Sequence, residues 1–201
     1  MRNIAILASG NGTNFSAIAK AVKHGYIKAN LKLMVTDKQN SYVRIRAKRS
    51  GVKNIFCDPK AFSCRLAFDK ELYGILNKEK IDLVILAGFM RILTPYFVRK
   101  FKNRILNIHP ALLPAFRGEH AIGRVFKSGC KITGVTVHFV DEKVDHGPVI
   151  LQEKVKVKKD MSLEDLEREI HKVEHKLYPQ AIKLVIDKKI KFSGRKVKVI
   201  V

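Results

Sequence analysis

Short apolar runs alternate with segments of helical periodicity through the first hundred residues, and this alternation constrains the fold more than any other feature. The runs at 4–8 and 83–86 contain no charged residue, as expected for strands that are buried on both faces. Apolar residues at helical spacing follow at 15–23, 42–50 and 63–77. Strand and helix patterns that alternate in this way predict βαβ units and a parallel sheet.

The pattern changes after residue 130. Residues 132–140 alternate as a strand does, and 149–157 could pair with them antiparallel across a loop at 141–148. Ser162 with Asp165 is a short variant of the capping box, so a helix should begin there. Residues 194–198 read either as a last alternating strand or as a loose basic tail.

We therefore predict one α/β domain over residues 1–201, with an open, mostly parallel Rossmann-like sheet, helices on both faces and a mixed or antiparallel C-terminal part. Its first half would be about 1–100 and its second about 101–190. No apolar run approaches the roughly 18 residues of a membrane helix. The first apolar run of the chain is too short for a signal peptide. The three cysteines lack the spacing of metal ligands, and we interpret them as reduced thiols of a cytoplasmic protein.

The charge is strongly basic, with 40 Lys and Arg against 18 acids and a net charge of +22. Such a balance often marks a nucleic-acid partner. Here the cations are spread along the whole chain, and the densest stretches, 44–49, 154–159 and 188–198, are not interleaved with aromatic residues as a stacking platform would be. A solvated basic surface that attracts small anions explains the composition without a specific nucleic-acid site.

An amide and an imidazole follow each other at the end of a predicted buried strand. Asn107 and His109 are two residues apart and so point to the same face, and Pro110 makes a stiff exit from the strand. These groups suit a reaction in which a carbonyl oxygen gains negative charge, and Asp145 could orient the imidazole or favour its charged form. The alternative is a strand end with a capping asparagine and a satisfied histidine.

A glycine-containing turn, Ser9-Gly10-Asn11-Gly12-Thr13-Asn14, follows the first strand and opens a helix. Converging N–H groups at a helix N-terminus favour a phosphate. The turn lacks the P-loop lysine, and Phe15 stands where a dinucleotide fingerprint would have its third glycine. On spacing alone, a turn without a ligand is about as probable as a phosphate site.

Four motifs in order resemble the folate-dependent formyltransferases: Asn107-Ile108-His109-Pro110, Leu112-Leu113-Pro114, Gly134-Val135-Thr136-Val137-His138 and Asp145-His146-Gly147-Pro148. The turn at 9–14 is similar to that of the branch that formylates glycinamide ribonucleotide. The resemblance implies formyl transfer from 10-formyltetrahydrofolate, a co-substrate, to the amine of that nucleotide in purine biosynthesis. It implies the catalytic residues Asn107, His109 and Asp145.

The resemblance also assigns ligand contacts along the chain. It implies nucleotide binding by Gly12, Thr13, Asn14, Arg65 and Glu174, with the first three at the phosphate. It implies a folate pocket lined by Met90, Arg91, Ile92 and Leu93, with Val140, Asp141 and Val144 in a loop that closes over the pterin. The expected partners are small molecules, without a metal, a specific nucleic acid or a membrane, and the protein should be a monomer or a homodimer.

Two residues depart from the pattern of this branch. Arg117 before Gly118 resembles the methionyl-tRNA formyltransferases, and position 122 is Ile where some members have a histidine, so the conformation of residues 115–131 stays open. We expect too little length here for the tRNA-binding barrel of the first rival family, and the extra N-terminal domain of a second, the formyltetrahydrofolate deformylases, is not expected. A basic nucleic-acid-binding module on an inactive scaffold is a third alternative, which the three intact catalytic positions argue against.

Overall fold

A computed structural model of the protein describes residues 1–194 and 196–200. The chain forms two compact units, of which the first is Met1–Leu106 and the second begins at Asn107. Whether these units correspond to a nucleotide-binding half and a catalytic half stays a prediction.

Parallel strands form the centre of the first unit. Their hydrogen-bonded order is β3-β2-β1-β4, and the three pairings between them are parallel. The central strand β1 is completely buried from Ile4 to Leu7, which explains its uninterrupted apolar sequence. The strands are β1 (Arg2–Leu7), β2 (Ala29–Thr36), β3 (Lys53–Phe56) and β4 (Leu83–Leu86).

Helices connect these strands as the alternating pattern predicts. They are α1 (Thr13–Lys23), α2 (Tyr42–Arg49), α3 (Arg65–Lys78) and α4 (Pro95–Lys100), with a 3₁₀ turn at Pro59–Ala61. Helix α4 was not predicted, because a single turn and a half has too few positions to show a period. Its start is set by Thr94, whose N–H and hydroxyl both donate to the buried Asp69 carboxylate at 2.6 Å.

Strand β5 (Ile105–His109) begins in the first unit, next to β4, and ends in the second, next to β6. In the second unit β6 (Ile132–Phe139) pairs antiparallel with β7 (Val149–Lys156), as predicted. Two short strands, β8 (Ile190–Ser193) and β9 (Lys196–Val199), form a separate antiparallel sheet. The predicted class is confirmed: seven strands, mostly parallel, with helices around them and an antiparallel C-terminal part.

Two helices belong to the second unit, α5 (Ala121–Lys127) and α6 (Leu163–Ile186). The predicted capping box is present: the Ser162 hydroxyl accepts from the Asp165 N–H at 3.1 Å, and the Asp165 carboxylate accepts from the Ser162 N–H at 3.2 Å. Helix α6 continues through Pro179, and the nearby Tyr178 and Ala181 are completely buried. For residues 194–198 the sequence left a strand or a loose tail open. Lys196, Val197 and Lys198 belong to β9, Gly194 lies in a turn, and Arg195 lies outside the described residues. No helix within the described ranges combines the length and the apolar character needed to cross a membrane.

Candidate active site

The three side chains predicted to be catalytic are in contact. Asn107 and His109 lie on β5 and point to the same side, as period two requires. Asn107 Nδ2 donates to Asp145 Oδ1 at 3.2 Å, and His109 Nδ1 lies 3.2 Å from Asp145 Oδ2. The His109 side chain is 5% exposed and that of Asp145 10%, so this cluster is largely withdrawn from water.

The loop between β6 and β7 carries Asp145 to this point. Asp145 has a left-handed backbone, with φ 47°, which is unfavourable for a residue with a Cβ. Gly147 passes so close to the carbonyl oxygen of Phe139 that any Cβ at this position would collide with it. The Phe139 N–H donates to the Pro148 carbonyl at 2.9 Å, which closes the loop at its base. Asp145 is therefore held by a loop that depends on a glycine.

A turn that the sequence left undefined completes the cluster. We call residues 116–118 the Phe116 turn. The carbonyl oxygen of Phe116 lies 2.9 Å from His109 Nε2, and the Gly118 N–H donates to Asp145 Oδ2 at 2.8 Å. A carbonyl oxygen only accepts, so Nε2 of His109 carries a hydrogen. The turn thus fixes both members of the histidine–carboxylate pair.

His138 is a fourth member of the cluster to which the sequence assigned no role. It is 1% exposed, and its Nδ1 donates to the Phe139 carbonyl at 2.8 Å. Its Nε2 lies 3.2 Å from Asn107 Nδ2 and 3.6 Å from Asp145 Oδ1. One feature of the sequence could have indicated a role for His138. It stands in an apolar alternating strand, where a polar residue at a buried position needs a polar partner.

Thr136, two residues before His138, holds the chain that leaves β5. Its hydroxyl donates to the Ala111 carbonyl at 2.6 Å and accepts from the Leu113 N–H at 3.0 Å. Gln152 Nε2 contacts both the Thr136 hydroxyl and the Leu113 carbonyl, at 2.8 and 2.9 Å. The segment after His109 is therefore attached to β6 and β7 by buried hydrogen bonds.

Burial and charge act in opposite directions on the two titratable groups. Burial lowers the pKa of His109 below its usual value, although the Asp145 charge and the Phe116 carbonyl favour the protonated ring. Burial would raise the pKa of Asp145, but the neighbouring His138 ring, the Gly118 N–H and His109 outweigh it and lower this pKa to about 2. The carboxylate is thus ionised at ordinary pH, and it lies beside an imidazole whose pKa is below its usual value.

The predicted phosphate turn lies in the first unit. Gly12 has φ 80° and precedes the first residue of α1, Thr13, and its carbonyl accepts from the Ser16 N–H at 3.0 Å, which closes the first helical turn. A Cβ on Gly12 would collide with Val43 of α2. The packing of the turn against α2 therefore requires a glycine here, whether or not a phosphate binds.

Helix α2 holds this turn from outside. The Val43 N–H donates to the Gly10 carbonyl at 3.2 Å. The Arg46 guanidinium donates to the Asn11 carbonyl at 2.8 Å and to the Asn11 side-chain oxygen at 2.8 Å. The buried Asp37 carboxylate accepts from the Ser9 hydroxyl at 2.5 Å, and this hydroxyl accepts from the Met90 N–H at 2.9 Å. These partners were not predicted, because they lie 28 or more residues away along the chain.

Met90 and Ile92, predicted to line a folate pocket, are 66% and 58% exposed, whereas Leu93 is buried. The Arg91 guanidinium lies over the Phe68 ring at 4.7 Å. Arg65 begins α3 and donates to the Ile92 carbonyl at 2.7 Å. The structure thus brings Arg65, predicted to bind the nucleotide, next to the segment predicted to bind folate.

The remaining predicted residues lie in the second unit. Val140 follows the last residue of β6, and Val144 is exposed. Asp141 accepts from the Lys143 N–H at 3.0 Å and contacts His146 Nδ1 at 2.7 Å. These bonds shape the loop that ends at Asp145.

Glu174, predicted to bind the nucleotide, is 4% exposed, and its Oε2 lies 2.9 Å from His171 Nδ1. This bond raises the pKa of His171 above its usual value. Across residues 1–194 and 196–200, no group of three or more His, Cys, Asp or Glu side chains is arranged to hold a metal ion.

Comparison with known proteins identifies the family. A family model described as formyl transferase matches residues 2–182. Phosphoribosylglycinamide formyltransferase of Bacillus subtilis (strain 168) is 39% identical over 186 residues, 92% of this chain and 95% of that protein. The enzyme of the same name from Escherichia coli (strain K12) is 39% identical over 189 residues, 94% and 89% of the two chains. A solved structure of glycinamide ribonucleotide transformylase 1 from Symbiobacterium toebii has a TM-score of 0.97 and 42% identity, covering 100% of this chain and 94% of that one. This chain belongs to the formyl transferase family.

Proposed function

We propose that this protein transfers the formyl group of 10-formyltetrahydrofolate to the amine of glycinamide ribonucleotide, in purine biosynthesis. The observation that carries the proposal is the buried contact of Asn107, His109 and Asp145 in a chain that matches enzymes of this activity over nine-tenths of its length. The methionyl-tRNA and deformylase alternatives have less support, since the similar proteins described above are phosphoribosylglycinamide formyltransferases and a glycinamide ribonucleotide transformylase.

The reaction needs charge stabilisation and one proton transfer. A C–N bond forms between the substrate amine and the formyl carbon, the bond from that carbon to the folate nitrogen breaks, and a proton passes from the amine to the departing nitrogen. Negative charge develops on the formyl oxygen between these steps. We assign its stabilisation to the Asn107 amide and to protonated His109, with Asp145 favouring the imidazolium and assisting the proton transfer.

In this structure the proposed donors are occupied by acceptors within the protein. Asn107 Nδ2 faces Asp145 and His138, and His109 Nε2 faces the Phe116 carbonyl. The Phe116 carbonyl is neutral, and a hydrogen bond to an oxyanion is roughly twice as strong as one between neutral groups. The formyl oxygen can therefore replace this carbonyl as the acceptor for His109 as its charge develops.

For the nucleotide, we propose phosphate binding by the N–H groups at Gly12, Thr13 and Asn14. Support comes from the start of α1 at Thr13, because the N-terminus of a helix directs N–H groups and the positive end of its dipole at a bound anion. Glu174 is proposed to meet the cationic or hydrogen-donating part of the substrate, and its burial would strengthen that contact. Arg65 is proposed as a further substrate contact.

For the folate, we propose contacts with Met90, Arg91, Ile92 and Leu93, and separately with Val140, Asp141 and Val144. The exposed Met90 and Ile92 side chains fit this role, because a flat heteroaromatic ring binds against apolar walls with a few backbone donors and acceptors. Such a site also needs polar groups. The bonds of Asp141 with Lys143 and His146 hold a polar segment of the loop in a defined shape.

We further propose a cytoplasmic protein that uses small-molecule substrates, works without a metal and is a monomer or homodimer. In the described chain Cys57, Cys64 and Cys130 are free thiols, which supports a reducing compartment. The net charge of +22 would attract phosphorylated nucleotides and folates bearing several carboxylates.

A direct assay tests the proposal. Purified protein is incubated with 10-formyltetrahydrofolate and one of three acceptors, glycinamide ribonucleotide, charged methionyl-tRNA or water, and release of tetrahydrofolate is followed. Rapid release only with glycinamide ribonucleotide supports the proposed function. Release with charged tRNA or with water alone at an equal rate would assign one of the rival activities instead.

A further inference from the structure

Arg124 lies on α5, and none of the roles proposed above includes it. Its Nη2 donates to the Phe116 carbonyl at 2.7 Å and to the Arg117 carbonyl, and it lies 3.4 Å from the Gly118 carbonyl. Three consecutive carbonyl oxygens of the Phe116 turn therefore converge on one nitrogen. A guanidinium carries hydrogen-bond donors and no acceptor, so it matches a cluster of carbonyl oxygens.

The backbone conformation of the Phe116 turn is unfavourable without stabilising contacts of this kind. Phe116 has φ 54°, Gly118 φ 85° and His120 φ 54°, so the backbone is left-handed three times within five residues. This conformation is unfavourable at the two residues that have a Cβ, and it persists only where the surroundings enforce it. Arg124 satisfies the carbonyl groups that the turn directs to one side.

The same turn supplies two bonds to the proposed catalytic pair. Phe116 accepts from His109 through the same carbonyl oxygen that Arg124 contacts, and Gly118 donates to Asp145. A carbonyl oxygen has two lone pairs, and here His109 and Arg124 use one each. When His109 turns its Nε2 hydrogen to the formyl oxygen, the Phe116 carbonyl keeps Arg124 as a partner. Without Arg124 that exchange would leave the carbonyl of the half-buried Phe116 with neither of the donors that it has here, which makes the exchange less favourable.

We propose that Arg124 is a positioning residue for formyl transfer: it holds the Phe116 turn against His109 and Asp145, and it keeps the Phe116 carbonyl hydrogen-bonded while His109 serves the substrate. The proposal rests on the catalytic roles proposed for His109 and Asp145. Arg124 acts through His109 and not on either substrate, so its loss should lower kcat and leave both KM values nearly unchanged.

The test is a double-mutant cycle on the full-length protein. Arg124→Met, His109→Ala and the double variant are compared in the formyl-transfer assay, with KM measured for both substrates. Lys127→Met is the control, because it removes a cation from an exposed position of the same helix without touching the turn. Thermal unfolding is followed for every variant, and Arg124→Gln replaces Arg124→Met if the latter does not fold.

Arg124→Met should lower kcat roughly tenfold to a hundredfold, the effect expected for an unsatisfied acceptor or a small displacement at the site. Lys127→Met should be unaffected, and the Arg124 substitution should cost little more in the His109→Ala background. An equal loss in both backgrounds, a loss in KM alone, or full activity of Arg124→Met would overturn the proposal. Full activity of His109→Ala would instead refute the catalytic role on which it rests.

Discussion

Replacing Asp145 with asparagine removes the negative charge beside His109 while nearly keeping the size of the side chain. The carboxylate accepts from Asn107 through Oδ1 and faces both Gly118 N–H and His109 through Oδ2. An amide has one oxygen, so one of these positions would hold an NH₂ group against another donor. The substitution therefore removes a charge and also leaves one of the donors around Asp145 without an acceptor.

The size of the charge effect follows from the separation of 3.2 Å between His109 Nδ1 and Asp145 Oδ2. At an effective dielectric constant of about 20 the Coulomb attraction is about 5 kcal/mol, an upper limit, and a nearby opposite charge in proteins shifts a pKa by roughly 1–3 units. Burial already lowers the pKa of His109. Without Asp145 this pKa should fall further, and the imidazolium would be scarce at neutral pH.

Asp145→Asn should therefore lower kcat by roughly 10²–10⁴-fold, the usual span for a lost acid–base interaction. The rate needs protonated His109, so it falls as pH rises through the His109 pKa, and in the variant this decline should begin at lower pH. The assay is kcat against pH for Asp145→Asn, His109→Ala and the double variant, with Asp160→Asn, an exposed carboxylate elsewhere, as the control. Because the pair acts as one unit, the double variant should be little worse than the poorer single one. Multiplying losses, or an unchanged pH profile in Asp145→Asn, would show that Asp145 has only a structural role in its loop.

Four further outcomes are expected. Gly12→Ala should raise the KM for glycinamide ribonucleotide and lower the Tm, because φ 80° and the contact with Val43 exclude a Cβ; an unchanged KM would place the phosphate elsewhere. Glu174→Gln should raise the same KM and lower the pKa of His171, which the carboxylate now raises; an NMR titration of the histidines measures the second effect. The depressed Asp145 pKa, about 2 against a usual 3.8, contributes stability above pH 4 that is lost as pH falls through 2, about 2 kcal/mol; acid unfolding of Asp145→Asn should lack this step. Binding to random RNA should be weak and fall steeply with salt, and tight, sequence-selective binding at physiological salt would contradict the small-anion explanation of the charge.

Local pattern was enough to predict most of the secondary structure. The strands at the centre of the sheet are uninterrupted apolar runs because they are buried on both faces, and β1 shows this directly, with Ile4 to Leu7 completely buried. The start of α6 could be placed to the residue, since the capping box joins Ser162 and Asp165 within one turn. Period two likewise placed Asn107 and His109 on one side of β5. Each of these features is determined by residues within a few positions of one another.

Tertiary structure decided which of these groups acquire partners. Asp145 contacts Asn107 across 38 positions, and His138 reaches Asn107 across 31. The left-handed Phe116 turn could not be predicted, because a left-handed phenylalanine is unfavourable by itself and needs tertiary contacts such as those with His109 and Arg124. Sequence periodicity reports which face of an element is buried, but not what it is buried against. The hydrogen-bond partners of buried polar groups therefore depend on how distant segments pack. Only the folded structure shows these partners.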